Sequence, residues 1–301
     1  MPPHPCRCRS PQGQPTTAAA GTDTSRRPRL RPKARAFLVK DINTQPAIFS
    51  SNPHNFFTIG STTLFVAETP EIGSELWKTD GTAAGTALVK DINPFGGSSP
   101  SWLTAANGVL YFAVDDGAHG LELWKTDGTT AGTALVKDIN PGAAGSNPSP
   151  LTEADGVLFF TVDDGTHGVE LWKTDGTAAG TALVSDIKPG TEGSYPRALT
   201  KVNETLFFTV VSDPAHGPEL WKSDGTAAGT MRVMNIAPEG QRTQGSDPGV
   251  LTDLNGTLFF NASTVSPARN SGPETGRRAA PASSRTSGPD NAGLLRNPSR
   301  P

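Results

Sequence analysis

At 301 residues, with 33 glycines, 27 prolines and few helix-forming runs, the chain has the turn density of an all-β protein and room for one large or two ordinary domains. Its net charge of −3 divides into two basic ends, +7 over residues 1–36 and +4 over 265–301, and a body of −14, which lacks the clustered cations that phosphate backbones require and excludes nucleic acid as a partner of the body. No apolar run reaches the roughly eighteen residues of a membrane span, no apolar segment of a secretory signal is readable at the N-terminus, and Cys6 and Cys8 alone frame neither a fold nor a zinc site.

Residues 1–36 show no repeat and read as a disordered basic tail, a solvated stretch being preferred over a nucleic-acid arm at Arg26–Arg35. Phe37–Asn43 (FLVKDIN) then reads as the last strand of a unit whose earlier strands do not precede it. Four full units follow, over about 52–93, 99–140, 147–188 and 195–236, with a partial fifth over 247–264. The octapeptide ELWKTDGT occurs three times and ELWKSDGT once, which sets Trp77, Trp124, Trp172 and Trp221 at intervals of 47, 48 and 49 residues. Self-similarity at such a period decides the architecture before any local reading does. Each unit opens at a serine–proline signal: Ser51-Asn52-Pro53, Ser99-Pro100, Ser146-Asn147-Pro148, Ser194-Tyr195-Pro196 and Ser246-Asp247-Pro248.

Within the unit over 99–140, a short strand is predicted around Trp102–Thr104, followed by the tight-turn pair Asn107-Gly108. Val109–Val114 (VLYFAV) is apolar without alternation, as suits a strand covered on both faces. The glycine loop Asp115–Gly120 leads into a strand at Leu121–Thr126, Asp127-Gly128-Thr129 turns the chain, and a last strand runs over Ala134–Ile139. Four short antiparallel strands in about 48 residues are the content of one propeller blade. The expected fold is therefore all-β, a β-propeller-like array of four-stranded blades forming an open or incomplete ring.

The pattern stops after LTDLNGTLFF (Leu251–Phe260). Read in the frame made from the third base of each codon and the first two of the next, residues 269–290 permit ELWxxDGTxxGTxLVxDIxPG, the missing half of the unit. A frameshift between about residues 261 and 269 is inferred from that repeat, leaving 265–301 as a disordered, out-of-frame tail whose basic charge carries no function.

On these residues the chain resembles the ELWxxDGT repeat family, mostly bacterial proteins that are often secreted and sometimes labelled hyalin-like. The resemblance covers about residues 37–264, and the blades also resemble TolB-type propeller repeats. It implies an extracellular or cell-surface module, truncated here, with an extracellular protein or glycan as partner, and it supplies no catalytic residues to transfer.

Candidate residues fall in the repeat itself. The tryptophans read as packing between neighbouring blades rather than as sugar platforms, since one per unit at a fixed strand position is a structural spacing. Glu75, Glu122, Glu170 and Glu219 precede them by two; Asp80-Gly81, Asp127-Gly128, Asp175-Gly176 and Asp224-Gly225 follow, and both sets are expected to satisfy backbone donors at strand ends and turns. The loops DDGAHG and DDGTHG place Asp115, Asp116, Asp163 and Asp164 where Ca²⁺ is the only cofactor to consider, but they lack the alternating acids and closing glutamate of a calcium loop and read as turns. His119, His167 and His216 lie three before a glutamate at a loop-to-strand junction, not at the helical spacing of a zinc pair. No nucleophile elbow and no Ser/His/Asp set stands apart from the repeats. The functional expectation is a non-catalytic structural, ligand-binding or adhesion module; the alternative is a propeller hydrolase or lyase acting on extracellular polysaccharide.

Overall fold

The computed structural model describes residues 38–44, 50–213, 216–233, 236 and 245–263, with the backbone of 292–295; the basic stretch 1–36 and most of 265–301 lie outside the described residues. Among the described residues every regular element is a strand. The first sheet comprises β1 (His54–Ile59), β2 (Thr62–Thr69), β3 (Gly73–Thr79) and β4 (Ala87–Lys90). The second holds β5 (Ser101–Ala106), β6 (Val109–Asp115), β7 (Leu121–Thr126) and β8 (Ala134–Lys137), the third β9 (Ser149–Ala154), β10 (Val157–Asp163), β11 (Val169–Thr174) and β12 (Ala182–Ser185). The fourth is β13 (Pro196–Val202), β14 (Thr205–Val210), β15 (Glu219–Ser223) and β16 (Met231–Arg232), and the last is β17 (Gly249–Leu254), β18 (Thr257–Asn261) and β19 (Ala292–Leu295). All five are meanders in sequence order, every pair antiparallel. Each blade is its own sheet, and the sheets are arranged like the blades of a propeller.

Local chemistry explains the hairpins. Asn107-Gly108, Asp155-Gly156 and Asn255-Gly256 take positive φ at both central positions, the handedness that matches twisted strands. In the DGTxxGT turn, Asp80 Oδ1 accepts from the N–H and hydroxyl of Thr82 at 2.9 and 2.7 Å, and a Cβ on Gly85 would collide with that carboxylate. The same collision recurs at Gly132, Gly180 and Gly229, which is why the second glycine of the motif repeats with the aspartate.

The core lies between sheets. The rear of the second sheet offers Tyr111, Leu123, Val136 and Ile139; the front of the third offers Leu158, Phe160, Val162 and Trp172. Equivalent seams join first to second, third to fourth and fourth to fifth. Burying each such side chain stabilises by about 1.5–3 kcal/mol, so the seams dominate the fold. Lysines fasten the margins: Lys78, Lys125 and Lys173 Nζ donate to the carbonyls of Gly128, Gly176 and Gly225 at 3.0, 2.8 and 2.8 Å, each one blade on.

Three local readings change. The last strand of a blade stops at Lys137 rather than Ile139, because the chain turns to present its N–H groups to the preceding glutamate. The segment 38–43 is not a strand, and no sheet among the described residues includes it; it still docks like the end of a blade, with Ile42 against Trp77 and Lys40 Nζ donating to Thr86 O at 2.7 Å. In the tail, Ala292–Leu295 pairs with β18 from Leu258↔Leu295 to Asn261↔Ala292, an apolar run taking the free edge where the other blades carry ELW.

Trp172→Ala should lower stability by about 3–5 kcal/mol in urea unfolding, the penalty for a large cavity in a packed seam. A loss under about 1 kcal/mol would show that the seam is not packed as described.

Candidate functional site

The four motif glutamates are fully buried. Glu122 Oε2 accepts the Ser146 hydroxyl at 2.6 Å and Oε1 the Asn140 N–H at 3.1 Å. Glu75 does the same with Ser98 and the N–H groups of Ile92, Asn93 and Ser98. Glu170 takes Ser194 and the Lys188 N–H, and Glu219 takes Ser246 and the Ile236 N–H. The serine is the first residue of the next blade, and its own carbonyl accepts the N–H at the end of that blade's second strand, as Ser146 O does from Asp163 at 3.0 Å. Each glutamate is thus a latch from the third strand of one blade to the second strand of the next. In the second blade the latch is Ser98, not the Ser99 that the Ser-Pro pair suggests; Ser99 is exposed.

Burial pushes the carboxyls of Glu75, Glu122 and Glu170 up, with the serine and backbone hydrogen bonds pulling back. The motif aspartates behave oppositely: the Thr82 hydroxyl and N–H hold Asp80 below the ordinary range, and Asp127, Asp175 and Asp224 match it. The tryptophans lie in the seams, Trp124 and Trp172 each 6% exposed and Trp77 9%. Their Nε1 atoms, and that of Trp221, have no acceptor among the described residues, so ring area rather than hydrogen bonding is what each indole contributes. Lys90 and Lys137 Nζ sit 5.2 and 5.6 Å from the centroids of Trp124 and Trp172.

In the aspartate loops the carboxylates are used locally. Asp115 Oδ1 accepts the Gly117 N–H at 2.8 Å; Asp116 Oδ1 accepts from Ala118 and His119 N–H at 2.9 Å, and its Oδ2 faces His119 Nδ1 at 2.8 Å. Asp163 and Asp164 repeat this with Gly165, Thr166 and His167. Burial alone would raise Asp116 and Asp164, but their hydrogen bonds outweigh it, and the same bonds raise His119 and His167. The loops do not converge: among the described residues no three His, Cys, Asp or Glu gather as metal ligands.

A different set of residues is presented outward, and it is unrepeated. Every first strand carries a β-bulge at one place, where two residues oppose one: between His54 and Phe57, Ser101 and Thr104, Ser149 and Thr152, Arg197 and Thr200, and Gly249 and Thr252. The residue after the latch serine and the first bulged residue have positive φ at nine of ten positions, Pro150 being the exception that its ring enforces. Trp102, Tyr195 and Val250 hold φ of 54, 52 and 49°, a conformation that bulky side chains avoid at about 1–3 kcal/mol each. Trp102 is 53% exposed and Tyr195 50%. First strands are seamed blade to blade by Thr104, Thr152 and Thr200 hydroxyls donating to the carbonyls of Leu151, Leu199 and Leu251 at 3.4, 3.4 and 3.3 Å. Arg197 forms an ion pair with Asp247 of the next blade. Sequence reasoning passed over this rim; the signal was a fifth tryptophan, Trp102, outside the repeated position.

No protein-family model and no curated protein matches this sequence. Among solved structures, the chain is similar to a puromycin hydrolase at 17% identity over 72% of this chain and 35% of that one, TM-score 0.38. It is similar to a prolyl endopeptidase at 11% over 67% and 30%, TM-score 0.43, and to an α-L-arabinofuranosidase of Clostridium thermocellum at 14% over 71% and 82%, TM-score 0.29. The chain spans about a third of the length of the first two. Likenesses this distant transfer no activity.

A carboxyl whose pKa rises on folding supports the fold while it is protonated, below the ordinary glutamate range, and loses that contribution as pH climbs through its folded value. Glu122→Gln, neutral throughout, should therefore gain on the parent protein as pH rises from about 4 to about 8, read as the difference in urea midpoints. A pH-independent difference would contradict the burial argument. For the loops, excess Ca²⁺ against chelator should leave the melting temperature unchanged, whereas a ligand at a hundredfold its Kd would add about 2.7 kcal/mol.

Proposed function

We propose that this chain is a non-catalytic repeat module of an extracellular or cell-surface protein of the ELWxxDGT type, with a ligand-binding or adhesion role. The observation that supports this reading is the division of labour among its residues. The repeated glutamates, tryptophans and motif aspartates are engaged in latches, seams and turns. The side chains that differ from blade to blade stand on the first strands and their lead-ins, Trp102 on a bulge, Arg197 beside one, and Tyr195 and Asp247 just before their strands. Strain retained at one place in five blades is a feature of binding surfaces held by a rigid scaffold. The raised carboxyls, which would suit general acids in an open cleft, are shut in the latches instead.

The full chain incubated with dyed polysaccharides and unfolded casein should yield no new reducing ends and no peptide fragments, while sedimenting with at least one insoluble extracellular polymer. Turnover above the blank, abolished by a single Asp or Glu substitution, would overturn the reading.

A further inference from the structure

We propose that the row of first strands and their lead-ins binds an uncharged glycan chain, with Trp102 as its principal platform and Tyr195 as a second. This rests on the binding-module reading above and names its ligand class. Three observations lead there. Trp102 is the one tryptophan among the described residues that is largely exposed, its ring turned out of the ladder by a bulge and supported at positive φ. Tyr195, two blades on, is half exposed at the position after its latch serine, also at positive φ. A flat aromatic face held rigidly in water covers apolar area at little entropic cost, and the C–H faces of a pyranose ring are the complement of that surface.

The charge on the rim selects among ligands that would stack. Arg197, two residues beyond Tyr195, and Asp247 offset each other's charge across neighbouring blades. Between the two aromatic blades the third presents Asn147, Ser149 and Pro150, an amide, a hydroxyl and an apolar ring. Amides and hydroxyls both donate and accept, as the hydroxyls of a sugar do. An acidic polysaccharide would need unpaired cations, and a nucleic acid more of them. A run of blades offering one such position each, through the shared seam of Thr104, Thr152 and Thr200, suits an extended chain of several sugars better than a monosaccharide.

The test uses the full chain and four neutral hexasaccharides, β-1,4-glucan, β-1,3-glucan, α-1,4-glucan and β-1,4-mannan, with hexagalacturonate as the acidic arm and unfolded casein as the peptide arm. Calorimetry reads affinity, and tryptophan emission reads location: Trp77, Trp124 and Trp172 are buried and Trp221 is half-buried, so a blue shift that persists in Trp221→Phe and is lost in Trp102→Phe reports Trp102. At least one neutral hexasaccharide should bind with a blue shift; Trp102→Ala should weaken it about tenfold or more, and Trp102→Phe within about threefold of the parent. Because Trp102 is exposed, the alanine variant should keep the parent's unfolding midpoint. Tyr195→Ala, made separately, should weaken the same ligand with Trp102 in place. The proposal falls if no neutral hexasaccharide binds at millimolar concentration, if Trp102→Ala binds equally, or if hexagalacturonate or casein is the better ligand. Co-sedimentation with a polymer that survives Trp102→Ala would sink the glycan platform and leave the binding-module reading standing, whereas turnover would remove both.

Discussion

A four-stranded meander has two faces, and in this chain both are apolar. The central strand β6 is buried along five consecutive residues, Leu110 to Val114, which no isolated sheet could sustain in water. Each sheet therefore depends on its neighbours: the rear of one blade is closed by the front of the next, and the order of the array follows from that demand. The latch between a buried glutamate and the first serine of the following blade fixes the register of this closure. It ties a strand end, a turn and the next blade's lead-in at a single carboxylate. A buried carboxylate is costly unless its oxygens are satisfied, and here the same bonds that satisfy it position the next module.

This accounts for which residues repeat and which do not. Gly120 approaches Gly145 so closely that a Cβ on it would lie 2.6 Å from the Gly145 N, where the loop of one blade crosses the lead-in of the next. Such positions admit no variation. The residue after the latch serine is exposed in every blade and the first bulged residue is exposed or half-buried, and the backbone there is set by its surroundings rather than by its own side chain. Asparagine, serine, tyrosine and aspartate can all occupy the first of these, and asparagine, tryptophan, alanine and valine the second. A scaffold that imposes an unusual conformation whatever the residue is one that can present different residues.

Much of the fold was legible because hairpin chemistry is local. Asn107-Gly108, the apolar run from Val109 and the LELWKT strand each declare themselves within six residues, and the period of the tryptophans supplies the rest. The latch was not legible: the Ser-Pro signal of the second blade marks Ser99, while the carboxylate that selects Ser98 lies 23 residues away. The rim was not legible at all. Tryptophan and valine avoid positive φ, so nothing in their own preferences announces a bulge at Trp102 or Val250; the constraint comes from β6 and β18, with which those strands pair. The pairing of Ala292–Leu295 with β18 was likewise hidden, because it depends on an edge left free rather than on a pattern in the segment.

The dependence of one blade on the next is tested most directly by a double-mutant cycle across a single boundary, Glu122→Ala with Ser146→Ala, read by urea unfolding. If the latch closes the second blade on the third, the two losses will be non-additive by about 1–2 kcal/mol. Losses that sum to within about 0.5 kcal/mol would mean that the two residues do not act together and that the blades are joined by other means.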